Sequence, residues 1–305
     1  MLCFVALIVF SLMGIFSASH RQLAFRALDC VFRRLTIRPC NTGFKEEVKG
    51  KLLGFLLRKS PVLAKLFNNH FEFLAWVFFI LSVASAFWVG RGMYNFYYYG
   101  SCNGLNQSGF CAFDPRGESN KVSITSGQCS VLPQSSEYLT LANFDKSLFP
   151  SIDNKSENNI VFIGCFNCHY SHNAYPVVKK LINDKRANIT FAHYPINSDA
   201  KKLSAVDYCA FEQDKDKYWS FIDKMFSIGG QNLSDDKKIN DLVASVGYNL
   251  DSFTDCLTAS STVEMVEKQI KNIETTGLYG TPTVFVNDTA IVGPKPARVY
   301  RLMLK

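Results

Sequence analysis

Two cysteines separated by two residues, Cys165 and Cys168, are the side chains whose types and spacing most directly indicate chemistry in this chain. They follow an apolar run at residues 160–163, which is typical of a buried strand, and precede a segment with helical spacing. A thiol at the start of a helix lies among backbone N–H groups that lack helical partners, and these groups stabilise its thiolate. The spacing therefore predicts a redox-active pair in which Cys165 has a lowered pKa and attacks disulfides.

A second informative stretch begins at Thr281 and Pro282, directly before the apolar run of residues 283–286. Proline has no backbone N–H to donate, so within a sheet it is confined to edges, bulges and the first residue of a strand. A proline at the start of an apolar strand therefore needs a specific reason. A CxxC pair together with a Thr-Pro dipeptide that opens a strand resembles the signature of thioredoxin-like proteins.

The surrounding pattern predicts the elements that position these residues. After the pair comes a helix and then a strand at residues 188–194, so that strand, helix and strand form a βαβ unit. Residues 198–276 carry only helical periodicity, which predicts a helical block inserted into an α/β frame. A hairpin at residues 283–286 and 290–292 and a short helix at residues 298–304 complete the predicted domain.

With these motifs in place, residues 136–305 resemble the DsbA-like branch of thioredoxin-fold thiol-disulfide oxidoreductases, in which a helical domain interrupts the thioredoxin fold. The resemblance covers a little over half of the chain and is spread over several motifs. They are Cys165-x-x-Cys168, Cys209-Ala210-x-Glu212-Gln213, Phe253-x-x-Cys256-Leu257, Gly277-x-x-Gly280-Thr281-Pro282-Thr283 and Gly293-x-x-Pro296.

The resemblance implies roles for the residues that match it. Cys165 would be the attacking thiol and Cys168 the resolving one, and the Thr281–Pro282 peptide bond would be cis and would face the pair. The backbone beside such a proline can hydrogen-bond to an incoming extended peptide, which makes cysteine-containing exported proteins the expected substrates. A quinone-linked membrane redox partner is also implied, and neither a metal ion nor another cofactor is expected.

Two departures from the family pattern leave the redox potential and the direction of electron flow open. The residues between the thiols are Phe166 and Asn167, and the strand before the pair has no acidic residue, where relatives commonly place one. His169 is a candidate for tuning the Cys165 thiolate, and the alternative is a surface histidine on the first helical turn. Oxidation of client proteins is the first hypothesis, and disulfide isomerisation or reduction is the second.

Other chemistries fit parts of the same pattern. Cys165, Cys168 and His169 form a CxxCH string of the kind that attaches c-type haem, but haem attachment gives Thr281 and Pro282 no role. Zinc needs four ligands, and one CxxC with a neighbouring histidine leaves the fourth unassigned. A third alternative is a permanent disulfide between the two cysteines in a non-catalytic binding module that uses the fold as a scaffold.

The beginning of the chain differs in composition from the rest. Residues 1–18 and 73–89 are uncharged apolar runs close to the length that spans a bilayer, which predicts transmembrane helices at residues 1–18 and 71–90. The loop between them, residues 19–70, has eleven basic and three acidic residues, a net charge of +8 against +7 for the whole chain. Because short basic loops stay in the cytosol, the second span is expected to carry the CxxC domain to the extracytoplasmic side of the cell membrane.

Two other interpretations of this region stay open. The first span is also a candidate for a cleaved signal peptide, although it lacks the basic residues that begin such peptides. The basic loop is compatible with a nucleic-acid patch, but its apolar residues favour an amphipathic helix on an anionic membrane surface, so no nucleic-acid partner is expected. The chain is thus predicted to have two transmembrane helices, a stalk at residues 91–135 and, at residues 136–305, an α/β thioredoxin-like fold with an inserted helical domain.

Seven of the ten cysteines are predicted to lie outside the cytosol, where disulfides persist. Cys102 and Cys111 enclose a short polar loop in the predicted stalk and either form a small disulfide or are unpaired. Cys209 and Cys256 lie on different predicted helices of the insertion. A disulfide between them would contribute roughly 3 to 4 kcal/mol, and the alternative is two separate buried thiols. Five Asn-x-Ser/Thr sequons fall in the same predicted compartment.

Overall fold

The computed structural model describes residues 18–36, 60–107, 109–124, 139–196, 198–228 and 235–305, together with isolated positions at 7–8, 10–11, 49–50, 53–54, 57–58 and 233. The chain divides into two units, Met1–Arg91 and Gly92–Lys305. Most of the first predicted span, residues 1–18, lies outside the described residues, as does much of the predicted basic loop.

The first unit contains helices α1 (Ala18–Leu35) and α2 (Pro61–Asn69) and most of α3 (Phe71–Tyr99), which continues into the second unit. α3 exposes many large apolar side chains, Phe73, Phe87 and Trp88 among them. A helix needs about 20 apolar residues to span a bilayer. Among the described residues, Trp76–Tyr99 is the one stretch long and apolar enough, with a mean hydropathy of 1.5. The described structure therefore contains one candidate span where the sequence predicts two.

The second unit is built on short strands. Within the described residues they are β1 (Ser123–Ile124), β2 (Ser151–Ile152), β3 (Asn159–Gly164), β4 (Asn188–His193), β5 (Gly280–Thr281), β6 (Thr283–Val286) and β7 (Thr289–Val292). Five of them form one sheet in the order β2-β4-β3-β6-β7, in which β3 and β4 are parallel and the other neighbours are antiparallel. β1 and β5 form a separate antiparallel pair. The βαβ unit and the hairpin lie where the sequence predicts them.

Helices fill the connections between these strands. They are α4 (His169–Asn183), α5 (Ser198–Gln213), α6 (Lys215–Ile228), α7 (Asp236–Val246), α8 (Leu250–Thr258), α9 (Ser260–Glu274) and α10 (Ala297–Leu302). Helices α5 to α9 lie within the predicted helical block, residues 198–276. The boundaries follow local chemistry, since Asp235 and Asn249 cap the starts of α7 and α8 and Gly247 ends α7 with a left-handed φ of 86°. Cys209 on α5 and Cys256 on α8 are joined by a disulfide.

Both faces of the central strands are covered, because successive side chains of a strand point to opposite faces. Phe162 of β3 and Phe191 of β4 belong to a core with α4 and the helical insertion, and Phe226 of α6 contacts both rings. Val161 of β3 and Phe285 of β6 belong to a second core. A parallel strand that is buried on both faces carries a continuous apolar run, which is the pattern that precedes the CxxC pair.

The segment for which a stalk is predicted is packed on the domain over its described part, residues 92–107 and 109–124. The side-chain amide of Asn106 donates to the carbonyl oxygen of Ala290 and accepts from the backbone N–H of Val292, both at 2.8 Å. These bonds fix Asn106 to the outer strand β7 from a distance of 184 positions in sequence. Within the same segment Cys102 and Cys111 form a disulfide. The segment is therefore a folded part of the second unit.

Arg298 of α10 holds the C-terminal end of α3. Its guanidinium donates to the carbonyl oxygens of Phe96 at 3.0 Å and Tyr97 at 3.1 Å, and it lies 4.9 Å from the centroid of the Phe96 ring. The last carbonyls of a helix lack partners within the helix, and a cation at this end also interacts favourably with the helix dipole. Arg298 therefore caps α3 and fastens it to the closing helix.

Four of the five sequon asparagines already use their side-chain amides within the fold. The N–H groups of Asn106, Asn154 and Asn188 donate to backbone carbonyl oxygens at 2.8 to 2.9 Å, and that of Asn287 donates to another side chain at 3.3 Å. Asn232 lies outside the described residues. A glycan on any of the four would replace one hydrogen of an amide nitrogen that already makes a contact within the fold.

Candidate active site

The CxxC pair lies in the turn between β3 and α4. β3 ends at Gly164, and α4 begins at His169 with Cys168 as its N-cap residue. The backbone N–H of Cys168 donates to the carbonyl oxygen of Cys165 at 3.0 Å, which closes the turn. Among the described residues these two are the cysteines with free thiols, and both side chains are fully buried. The helix start therefore acts most directly on Cys168.

Three groups contact the sulfur of Cys168. Its thiol donates to the carbonyl oxygen of Thr281 at 3.2 Å, the backbone N–H of Ser171 donates to the sulfur at 3.4 Å, and the hydroxyl of Ser123 lies 3.1 Å away. In the third contact either the hydroxyl or the thiol can be the donor. The Thr281–Pro282 peptide bond is cis. The structure thus brings the cis-proline loop against the thiol pair.

Cys165 is enclosed by apolar groups. It forms a small buried cluster with Cys168 and Ala200, against which Tyr170 and Ile196 pack. Burial raises the pKa of the Cys165 thiol to about 11, and this effect outweighs the backbone N–H groups, that of Ile196 first among them, that stabilise the thiolate. The lowered pKa expected from the sequence is therefore wrong for this closed arrangement, because loss of hydration exceeds the effect of the backbone dipoles.

Phe166, the first residue between the thiols, anchors the loop in the core. It is fully buried, its ring stacks on the imidazole of His193 with centroids 4.6 Å apart, and it contacts two further core rings. His193 ends β4 and lies opposite Gly164, and its Nδ1 bonds to the hydroxyl of Ser204 at 2.9 Å. Burial lowers the pKa of His193 to about 3, so its imidazole is neutral at physiological pH.

His193 is not among the residues that the sequence motifs single out. The signal that would have found it is topological, because β3 and β4 are parallel neighbours and their C-terminal residues lie at the same edge of the sheet. Within the described residues, the buried Nε2 of His193 and the buried Oγ1 of Thr281 have no hydrogen-bond partner. Buried polar atoms without partners are uncommon in folded proteins, and both of these belong to residues at the CxxC end of the fold.

The two histidines that follow the pair have different surroundings. His169 is exposed, and its Nε2 pairs with the side-chain amide of Asn173 at 3.2 Å. Its surroundings match the surface alternative rather than contact with a thiol. The ring nitrogens of His172 lie 2.6 Å from the carbonyl oxygen of Phe166 and 2.8 Å from that of Phe226. His172 therefore joins the CxxC loop to the helical insertion.

Comparison with protein families matches residues 162–305 to the family described as thioredoxin, which is slightly less than half of the chain. Together with the sheet order and the cis peptide bond before Pro282, this match identifies a thioredoxin-like domain in the second unit. A search of curated proteins gives no match.

Several solved structures are similar at low sequence identity. The thiol-disulfide exchange protein alpha-DsbA2 from Wolbachia pipientis is 24% identical, with a TM-score of 0.46, over 50% of this chain and 83% of that one. BdbD from Bacillus subtilis is 18% identical, with a TM-score of 0.45, over 52% of this chain and 91% of its own. MdbA, a thiol-disulfide oxidoreductase from Actinomyces oris, is 15% identical, with a TM-score of 0.42, over 52% and 88%.

Proposed function

We propose that this chain is a protein thiol-disulfide oxidoreductase whose thioredoxin-like domain acts outside the cytosol and is anchored to the membrane by α3. The observation that carries the proposal is the contact between the Cys168 thiol and the carbonyl oxygen of Thr281, since it joins a CxxC pair to a cis-proline loop. The backbone of such a loop presents hydrogen-bonding groups to an extended peptide, and the pair supplies the sulfur atoms for exchange. The proposed substrates are cysteine-containing exported proteins.

In the oxidising direction the pair begins as a disulfide. A client thiolate attacks the sulfur of Cys165, the Cys165–Cys168 bond breaks, and Cys168 leaves as a thiolate that accepts a hydrogen bond from the backbone N–H of Ser171. A second client thiolate then attacks the client sulfur of the mixed disulfide, and Cys165 leaves as a thiolate. The client gains one disulfide, and the pair gains two electrons and, once both thiolates are protonated, two protons.

The disulfides of the second unit support oxidation as the net direction. Cys102–Cys111 and Cys209–Cys256 are both formed, and structural disulfides persist in oxidising compartments. The charge bias of the predicted basic loop also supports an extracytoplasmic domain. For turnover the pair must pass its two electrons on, and we assign this step to a quinone-linked membrane redox partner that α3 would keep within reach.

The test measures the equilibrium of the Cys165/Cys168 couple in the full chain, in detergent micelles, against reduced and oxidised glutathione. We expect a potential at or above that of glutathione, which is roughly −220 to −260 mV. A strongly reducing potential would favour a reductase, and a pair that does not equilibrate in either direction would refute the proposal. A Soret absorption band in the purified protein would indicate haem attachment instead.

A trapping experiment assigns the roles of the two thiols. With a reduced client and an oxidant, Cys168→Ala should accumulate a mixed disulfide between Cys165 and the client, because the resolving thiol is missing. Cys165→Ala should not accumulate the corresponding adduct. The double variant Cys102→Ala with Cys111→Ala is the control and should trap no client, since it keeps the CxxC pair and loses only a disulfide of the packed segment.

A further inference from the structure

Residues 119–124, named the strap here, cross the loop that contains the cis proline. β1 of the strap pairs antiparallel with β5, so that Ser123 lies opposite Thr281 and Ile124 lies opposite Gly280. Thr281 is also the residue whose carbonyl oxygen accepts from the Cys168 thiol. The strap is therefore an added strand on the backbone that contacts the thiol pair.

Two glycines leave room for the strap. A Cβ atom at Gly280 would lie 2.8 Å from Cγ2 of Val122 and 2.9 Å from the carbonyl oxygen of Ser123. At Gly293, which has a φ of 78°, a Cβ atom would lie 3.0 Å from the carbonyl oxygen of Ser119. A side chain at either position would collide with the docked strap, so both positions suit glycine.

Polar and apolar contacts hold the strap in place. The buried Nζ of Lys295 donates to Oδ1 of Asn120, whose Nδ2 donates to the carbonyl oxygen of Gln107 at 3.2 Å. Val122 packs against the core that contains Phe285. A lysine is rarely buried unless it is paired, so the contact with Asn120 ties the strap to the interior of the domain. The strap is thus an integral element of the second unit.

An extended client peptide needs the same backbone groups, because strand addition uses the free N–H and C=O groups of an edge. Ser123 occupies this register, and its hydroxyl lies 3.1 Å from the sulfur of Cys168. We propose that the strap is an internal competitor of client peptides and keeps the thiol pair closed until β1 unpairs from β5. This inference rests on the proposed function, since it describes the regulation of the same site. Residue 123 is a serine, so the strap occupies the proposed peptide site without forming a disulfide with either thiol of the pair.

The first experiment weakens the strap and measures access to the thiols. Ser123→Pro removes the backbone N–H of the residue paired with Thr281, and Val122→Ser removes an apolar contact. The reduced full chain in detergent micelles is treated with iodoacetamide, and labelling of Cys168 is followed by peptide mass spectrometry. We expect labelling to become about tenfold faster in both variants. Each lost contact should raise the equilibrium constant for unpairing β1 from β5, which exposes Cys168, about tenfold.

The matched control is Lys121→Ala, which changes a strap residue whose exposed side chain pairs with Glu118. Its labelling rate should stay within about twofold of wild type, because exposed ion pairs contribute little. Equal labelling rates in wild type and in both weakened variants would overturn the proposal.

Exchange with a reduced client, measured on the same samples, separates this inference from the proposed function. Faster exchange in the weakened variants supports both. Faster labelling with no exchange in any variant would retain the strap and refute the oxidoreductase. Exchange at one rate in all variants would retain the oxidoreductase and refute the strap.

A second experiment locks the strap instead of weakening it. Ser123→Cys places a thiol where the hydroxyl lies 3.1 Å from the Cys168 sulfur. In the oxidised enzyme the introduced thiolate attacks Cys168, a disulfide forms between position 123 and Cys168, and Cys165 leaves as a thiolate, so the step needs no added oxidant. Peptide mapping should find this link, and client exchange should be lost until dithiothreitol reduces it. Absence of the link, with position 123 labelled as fast as in urea, would overturn the proposal.

Discussion

Removing the side chain of Ile196 should restore part of the reactivity of Cys165. Ile196→Ala keeps the backbone N–H that stabilises the Cys165 thiolate and removes the apolar side chain that packs against the cysteine cluster. Burial raises the pKa of Cys165 from 9.0 to about 11. At about 1.36 kcal/mol per unit of pKa, this difference corresponds to a preference of about 3 kcal/mol for the neutral thiol.

The effect on rate follows from the thiolate population. At pH 7 a pKa of about 11 leaves roughly one thiolate in ten thousand molecules, whereas the ordinary value of 9.0 leaves about one in a hundred. If Ile196→Ala removes half of the rise, the thiolate fraction increases about tenfold. Because the thiolate is the nucleophile, alkylation at neutral pH should accelerate by the same factor, and the inflection of the pH–rate profile should move down by about one unit.

The assay follows iodoacetamide labelling of Cys165 across the neutral and alkaline range in a Cys168→Ser background. Val177→Ala is the matched control. It removes a β-branched side chain that packs against the core containing Phe162, away from the cysteine cluster, and should leave the pH–rate profile of Cys165 unchanged. A wild-type inflection at or below 9.0, or a profile that Ile196→Ala does not move, would refute loss of hydration as the cause.

The same shift predicts how stability depends on pH. The folded chain holds the Cys165 proton up to about pH 11, whereas the unfolded chain releases it near pH 9.0. Between these values the unfolded state binds fewer protons, so the free energy of unfolding falls as pH rises. The contribution to the free energy of unfolding that is lost over this range is about 3 kcal/mol. The measurement determines the free energy of unfolding of wild type and of Cys165→Ala by urea titration at successive pH values. Over this range the wild-type value should fall by that amount relative to the value of Cys165→Ala. Parallel curves for the two proteins would contradict the prediction.

Other contacts give equally direct expectations. Replacing both Cys209 and Cys256 by alanine opens a sequence separation of 47 residues and should lower the free energy of unfolding by about 4 kcal/mol in urea titrations, whereas a loss of under about 1 kcal/mol would contradict the chain-entropy account. His172→Phe removes the ring nitrogens that lie against the carbonyl oxygens of Phe166 and Phe226, leaves at least one of these carbonyls without its donor, and should cost about 1 to 3 kcal/mol. It should also speed amide exchange in the CxxC loop, and unchanged exchange would remove its positioning role. Treatment with an N-glycosidase should not change the mass of peptides containing Asn188, because its amide nitrogen donates to both the carbonyl oxygen of Ser156 and Oδ1 of Asn159, and a glycan at this position would contradict that packing.

The position of the thiol pair could be predicted because it depends on local patterns. A continuous apolar run, a CxxC and a helical period are all read within about 20 residues of sequence, and they define the junction at Cys165 and Cys168. The burial of Cys165 could not be predicted in this way. Ile196 and Ala200, which enclose it, follow β4 in the sequence, about 30 residues after the pair. Their side chains exclude water from the Cys165 thiol, which reverses the sign of the expected pKa shift.

The segment that precedes the domain shows a different limit. Its Gly, Ser and Asn content predicts a loop, and the described residues 100–107 and 109–122 are indeed largely irregular. Its order comes from single residues such as Asn106 and Ser123, which bond to strands that lie more than a hundred positions later in the sequence. Composition describes the local conformation of such a segment and carries no information on what it packs against. The reason for glycine at positions 280 and 293 is likewise evident only from the folded structure, because atoms of the strap lie where Cβ atoms would collide with them.

The contact between Arg298 and the last turn of α3 has a mechanical consequence. Residues 96 and 97 are bonded to α10 through this side chain, so the end of α3 belongs to the folded domain and is not a loose linker. A force that pulls the last turn of α3 away from α10 has to break both hydrogen bonds before this end of the helix can separate from the domain.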